Sequence, residues 1–226
     1  METEGRKEQT MGYKTVAGQG LAEYADKKSR FIGQAWPVYS EDEARMILEE
    51  TRKEYWDASH HVFAYRLAGD IQRFSDDGEP SGTSGKPTLD VLLGADVKNV
   101  LVITTRYFGG TLLGTGGLVR AYTKAAQLAL EAAGIIEKRI YARCSIHMDY
   151  TFLGKLQYLT AKLGVLTEGV EYTDEVIMRL LIPVEEVQAF AREVTAATDG
   201  KLTVGEEGRT WGARCGSEVR LFDEPL

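Results

Sequence analysis

"KNVLVITTRYFGGTLLGTGGLVRAYTKAAQLALEAAG", residues 98–134, runs a strand, a glycine-rich loop and a long helix together without a break. Its opening, "KNVLVITTRYF", is dense in β-branched residues and reads as a central strand. Its close, "LVRAYTKAAQLALEAAG", is alanine-rich, free of internal glycine and proline, and stops at Gly134, a suitable residue just past a helix end. Between them lie Gly109, Gly110, Gly114, Gly116 and Gly117, which permit close backbone approach and positive φ. A second glycine-rich segment precedes it, "DDGEPSGTSGKPTLDVLL" at residues 76–93, where acids, prolines and hydroxyls give way abruptly to apolar residues.

Outward from these loops, "YKTVAG", "LAEYA" and "RFIGQAWPVY" read as short strands. Ser40, three before Glu43, forms a capping box that starts a helix along Ala44, Ile47, Leu48 and Tyr55. "HHVFAYRL" is apolar at both parities, as a strand covered on both faces would be, and "IQRFS" is its short partner. "TLDVLLGAD" predicts a short helix ending near Gly94.

Past Gly134 the rhythm changes. "RIYARCSIHMDY" alternates, with Ile140, Ala142, Cys144, Ile146 and Met148 on one face and Tyr141, Arg143, Ser145 and His147 on the other. A helix, two strands, a helix starting at Pro183 and ending near Gly200, and the strand "KLTVGEE" follow. The order βαββαβ predicts a ferredoxin-like unit. The chain therefore divides into a mobile tail over residues 1–11, an N-terminal domain over 12–137 and a C-terminal domain over 138–226.

The totals narrow the function. A net charge of −7 argues against coating nucleic acid by bulk attraction, so any such contact needs a local basic patch. Cys144 and Cys215 have no CxxC partner, which disfavours a structural zinc or a disulfide framework. The charged start has no signal-peptide core, and no apolar run is long enough to span a bilayer. The expectation is a soluble cytoplasmic protein with reduced thiols.

Familiar nucleotide motifs fail at chemically essential positions. Gly85 and Lys86 supply the middle of a P-loop, but Pro87 replaces the magnesium-binding hydroxyl and Pro80 the leading glycine. In "GTGGLV" the third glycine of the dinucleotide fingerprint falls on Val119. A general anion site survives. A helix start after the second loop offers free amides, worth ~0.3–1 kcal/mol to a nearby anion. Arg106 precedes that loop, Arg120 and Lys124 share a face after it, and Lys86 and Arg66 are further cations. Tyr107 and Phe108 add rings that could stack on bases. The competing reading is packing: glycine turns also seat helices tightly on sheets.

The first loop holds Asp76, Asp77 and Glu79, with Asp90 farther on. They read either as oxygen ligands for magnesium or as a solvated turn held by Pro80 and Pro87. Ser81, Thr83 and Ser84 lack a nucleophile elbow. His60 and His61 alternate across their strand, so one is an acid–base candidate and the other is buried. The C-terminal sheet face, with Tyr141, Arg143 and His147, is a candidate for a protein or RNA partner, although it lacks the aromatic signature of an RNA-recognition strand.

"SRFIG", "HHVFAYR", "DDGEPSGTSGKP" and "RYFGGTLLGTGGLVRAY" together resemble the motif set of the IMPACT/YigZ family. The carried positions are Asp77, Gly78, Glu79, Pro80, Gly82, Thr83, Gly85 and Pro87 in the first loop. In the second they are Arg106, Tyr107, Phe108, Gly109, Gly110, Gly114, Gly116, Gly117, Leu118, Val119, Arg120 and Tyr122. The resemblance implies an α+β protein, its first domain folded like ribosomal protein S5 domain 2 and its second like the ferredoxin-like C-terminal domain of elongation factor G. It further implies RNA or ribosome partners and a role in regulating translation, with no cofactor, metal or catalytic set attached. The alternative is an enzyme acting on a small phosphorylated or peptide substrate. The sequence leaves the oligomeric state open.

Overall fold

A computed structural model describes residues 12–215 and 218–223, so the tail expected over residues 1–11 lies outside it. The described residues form a mixed α+β fold with two antiparallel sheets and five α-helices, divided into one unit over Tyr13–Ile136 and another from Glu137 on.

The first unit contains β1 (Tyr13–Val16), β2 (Gly20–Asp26), β3 (Ser29–Pro37), α1 (Glu41–Glu54), β4 (His60–Arg66), β5 (Gln72–Ser75), α2 (Gly85–Gly94), β6 (Val100–Tyr107) and α3 (Thr115–Ala133). Its sheet runs β2-β3-β6-β4-β5, with β6 at the centre. Val100 and Val102 pack toward α2 and α3, whereas Leu101 and Ile103 pack with Ala44 and Leu48 of α1. Helices on both faces explain why this strand is apolar at both parities. The capping box forms: the Glu43 amide donates to Ser40 Oγ at 3.1 Å. Its return arm lands one residue early, the Tyr39 amide donating to Glu43 Oε2 at 2.7 Å. Helix α2 begins at Gly85 rather than Thr88, because Pro87 needs no amide partner in a first turn.

The second unit holds most of β7 (Ile135–Met148), then α4 (Tyr150–Leu163), β8 (Leu166–Tyr172), β9 (Val176–Pro183), α5 (Val187–Ala197), β10 (Gly205–Cys215) and β11 (Glu218–Phe222). Within it the strands lie in the order β11-β10-β7-β9-β8. The inward residues Ala142, Cys144, Ile146 and Met148 meet Met178, Leu180 and Ile182 of β9, Leu156 of α4 and Phe190 of α5. Burial pushes the Cys144 thiol up to about 11, which makes it inert packing. Two local readings are corrected. Pro183 closes β9, and a 3-10 turn over Val184–Glu186 separates it from α5. The strand read as starting at Lys201 starts at Gly205 and pairs antiparallel with β11, a five-residue strand that the sequence reading did not assign. No helix among the described residues is long and apolar enough to cross a membrane.

Candidate functional site

Both glycine loops sit at one end of the first sheet. β6 leaves the sheet at Tyr107, β4 enters it at His60, β3 enters at Ser29 and β5 leaves at Ser75. In register, Phe31, Arg106 and His60 form one row across three strands. That row faces α3, with the Phe31 ring set edge-on to Tyr122 at 5.2 Å.

Arg106 is therefore not an exposed cation. It is 4% exposed, and its Nη1 donates to Glu79 Oε1 at 2.5 Å. Tyr122 donates its hydroxyl to the same oxygen at 2.8 Å. Burial, then the Glu79 charge, raises the Tyr122 pKa far above the ordinary range and keeps the phenol protonated. Arg106 Nη2 donates to Ser29 Oγ at 3.3 Å, which also accepts the Gly109 amide at 3.2 Å. The guanidinium lies between the Phe31 and Phe108 rings, 5.4 and 5.5 Å from their centroids. An arginine on the covered face of a central strand cannot reach solvent, so a buried carboxylate must meet it. The sequence expectation that Arg106 grips a ligand is overturned; it welds the two glycine loops together.

The acidic loop is likewise spent internally. Asp76 accepts the amides of Gly82, Ser84 and Gly85 and the Ser84 hydroxyl, so the free amides at the start of α2 already hold an anion. Asp77, at φ 44°, accepts the His61 amide at 2.7 Å and Arg52 at 2.8 Å. Thr83 donates to the Pro80 carbonyl at 2.6 Å. Lys86 pairs with Asp90 one turn along α2, and Arg66 pairs with Asp96 at 3.1 Å. Gly78, Pro80 and Gly82 are exposed, whereas Glu79, Thr83, Gly85 and Pro87 are buried. This loop is a framework, and its carboxylates are engaged by protein donors.

Asp76 yields a pH prediction. Burial raises its pKa, but the hydrogen bonds from Gly82, Ser84 and Gly85 outweigh that and hold it below the usual carboxylate value of 3.8. A depressed folded pKa contributes stability that is complete above the unfolded value and is lost as pH falls through the folded one. Urea unfolding should therefore show a loss below about pH 4. Asp76→Asn should already be destabilised at pH 7 and should lack this component of the acid-side slope.

The second loop is different. Gly114, at φ 74°, is the N-cap of α3 and makes no side-chain cap bond, so the amides of Thr115, Gly116 and Gly117 begin the helix without intrahelical partners. Arg120 curls back over this turn, its Nη1 only 3.6 Å from where a Cβ on Gly116 would stand. Arg120 and Lys124 are exposed and make no ion pair among the described residues. Gly110 is exposed, Gly117 is buried against Leu113, and Phe108 is 48% exposed. Tyr107 is half-buried and donates to Asp57 Oδ1 at 2.8 Å. Gly109 is pressed on the β2–β3 turn: a Cβ there would lie 2.1 Å from the Lys28 carbonyl carbon.

That contact brings in residues the sequence reading missed. Lys27 and Lys28 occupy the turn with φ 44° and 69°, are exposed, and make no ion pair among the described residues. Trp56, 80% exposed, stands on the segment entering β4. The signals were a lysine pair in a tight turn and a tryptophan in the polar stretch "EYWDAS".

His60 and His61 do face opposite ways. His61 is buried, with Nε2 3.2 Å from the Tyr55 carbonyl, and desolvation lowers its pKa. His60 Nδ1 is 2.9 Å from the Asp77 carbonyl, an acceptor only, so Nδ1 carries the proton; Nε2 lies 3.8 Å from Glu79. On the second unit's outer face Tyr141 is 5% exposed and unavailable as a contact ring. Arg143 lies 3.9 Å from Glu168 and His147 Nδ1 2.8 Å from Glu175, so both side chains already face carboxylates of their own unit.

These features define a two-unit α+β protein whose first unit gathers two glycine loops, cations without ion pairs among the described residues, and open helix amides at one end of a sheet. The family model for the Impact N-terminal domain matches residues 27–130, and a domain of unknown function, DUF1949, matches 146–201. The IMPACT family member YvyE of Bacillus subtilis is 36% identical over 201 residues, 88% of this chain and 93% of that protein. The IMPACT family member YigZ of Escherichia coli is 35% identical over 181 residues, 78% and 88% of the two chains. A solved structure described as that of a hypothetical protein superposes with a TM-score of 0.55 at 30% identity, over 88% of this chain and 98% of the other. The chain belongs to the IMPACT family.

Proposed function

We propose that this chain is a non-enzymatic, RNA- or ribosome-associated regulator of translation that holds a phosphate backbone at the loop end of its first unit. The observation carrying this reading is a set of four exposed cations without ion pairs among the described residues: Lys27 and Lys28 in the turn on which Gly109 presses, Arg120 over the open first turn of α3, and Lys124 farther along the same helix. In a chain of net charge −7, whose Arg30, Arg52, Arg106 and Arg179 all meet carboxylates, cations left unneutralised beside free amides are suited to an external anion. The reading takes the first unit as a relative of ribosomal protein S5 domain 2 and the second as a relative of the elongation factor G C-terminal domain. It sets the chain to work in the cytoplasm.

The test is filter binding of a single-stranded RNA across a salt series. Each phosphate contact removed lowers the log–log salt slope by about 0.7, so Lys28→Ala with Arg120→Ala should reduce it by about 1.4. An unchanged slope and affinity in the double variant would sink the reading, as would failure to co-sediment with ribosomes and to bind RNA at low salt. One observation favours an enzyme acting on a small phosphorylated or peptide substrate: His60 Nε2 lies 3.8 Å from the buried Glu79 carboxylate at the loop end. Turnover in a hydrolase screen, abolished by His60→Ala, would support that alternative.

A further inference from the structure

The loop end carries exposed aromatic rings as well as cations, and the loops bearing them are tied together. The segment after α1 is bonded to the end of β6 three times: the Ser59 amide donates to the Arg106 carbonyl at 2.9 Å, the Phe108 amide to Ser59 Oγ at 3.3 Å, and Tyr107 to Asp57 at 2.8 Å. Trp56 therefore stands on a segment anchored to the one that presents Phe108, and neither ring depends on a free loop for its position. Trp56 is 80% exposed, and among the described residues only Leu112 is a more exposed large apolar side chain. Phe108 is backed on one side by the buried Arg106 guanidinium at 5.5 Å. A ring whose inner face is occupied by a fixed cation keeps its outer side for another π-system.

A duplex hides its bases and offers such rings nothing to stack on, whereas an unpaired strand presents both phosphates and base faces. We infer that the ligand of this surface is single-stranded RNA, with bases stacked on Trp56 and Phe108 while Lys27, Lys28 and Arg120 meet the phosphates. The inference rests on the polyanion reading above and adds the strandedness of the ligand and the residues that select it. Charge alone does not discriminate between a single strand and a duplex; the rings do.

The experiment compares three probes with the full chain at one salt concentration: a twelve-residue oligouridine, an abasic strand of the same length and phosphate count, and an RNA duplex of the same length. Oligouridine should bind about ten-fold more tightly than the abasic strand, the scale of base stacking on an aromatic ring. Trp56→Ala and Phe108→Ala should each weaken oligouridine binding about ten-fold and leave duplex and abasic binding unchanged. Trp56→Phe, which keeps a ring, should retain most of the affinity. Because Trp56 is exposed, its replacement leaves the core intact, and unchanged circular dichroism checks this. Equal affinity for oligouridine and the abasic strand would overturn the stacking inference while leaving the polyanion reading in place. Binding of none of the three would overturn both.

Discussion

Arg106→Met is expected to lower the stability of the protein by about 3–5 kcal/mol in urea unfolding, the cost of leaving a buried charge without its partner. The Glu79 side chain is 4% exposed and holds Arg106, Tyr122 and, at 3.8 Å, His60 around one oxygen. Removing the guanidinium leaves that carboxylate in a site walled by Phe31 and Tyr122, with one phenol as its remaining close donor. The methionine side chain fills most of the space between the Phe31 and Phe108 rings, so little of the loss arises from a cavity. The double variant Glu79→Leu with Arg106→Met should recover most of the stability, because a buried pair replaced as a whole by apolar groups is often neutral. Adding Tyr122→Phe should recover more, by removing the hydroxyl that loses its acceptor. A single variant costing less than about 1 kcal/mol would mean that the pair is solvated rather than buried.

Gly109→Ala is expected to cost about 1–3 kcal/mol and to weaken RNA binding together with stability. The added methyl would stand 2.1 Å from the Lys28 carbonyl carbon, 2.2 Å from its oxygen and 2.4 Å from the Ser29 amide nitrogen. All three are backbone atoms, so no side chain can swing aside and the turn itself must move. That movement breaks the Gly109 amide bond to Ser29 Oγ, on which Arg106 also leans, and displaces Lys27 and Lys28 with the turn. Gly110→Ala is a useful contrast. A methyl there meets nothing within 4 Å, and the penalty is confined to its φ of 78°. Equal effects of the two substitutions on RNA affinity would show that the turn does not depend on contact with Gly109.

The division between what was legible and what was not follows the range of the interactions. Ser40 and Glu43 are three residues apart, so their capping box could be read directly, and only its return arm shifted by one position. The alternation in β7 records a sheet covered on one face, just as the unbroken apolar run of β6 records one covered on both. Strand β11 escaped because five residues at a sheet edge give its alternation too few repeats to stand out.

The site was half legible. Arg106 and Arg120 look alike in sequence, each flanking the same glycine loop. One faces a carboxylate 27 residues earlier in the chain, and the other lies over an open helix turn. The sequence by itself determined most of the elements, the βαββαβ order of the second unit and the pairing of two glycine loops with a helix start. Which cations are spent inside and which are left to a ligand was decided only by the tertiary structure. Burial and ion pairing join residues distant along the chain, and local spacing carries no record of them.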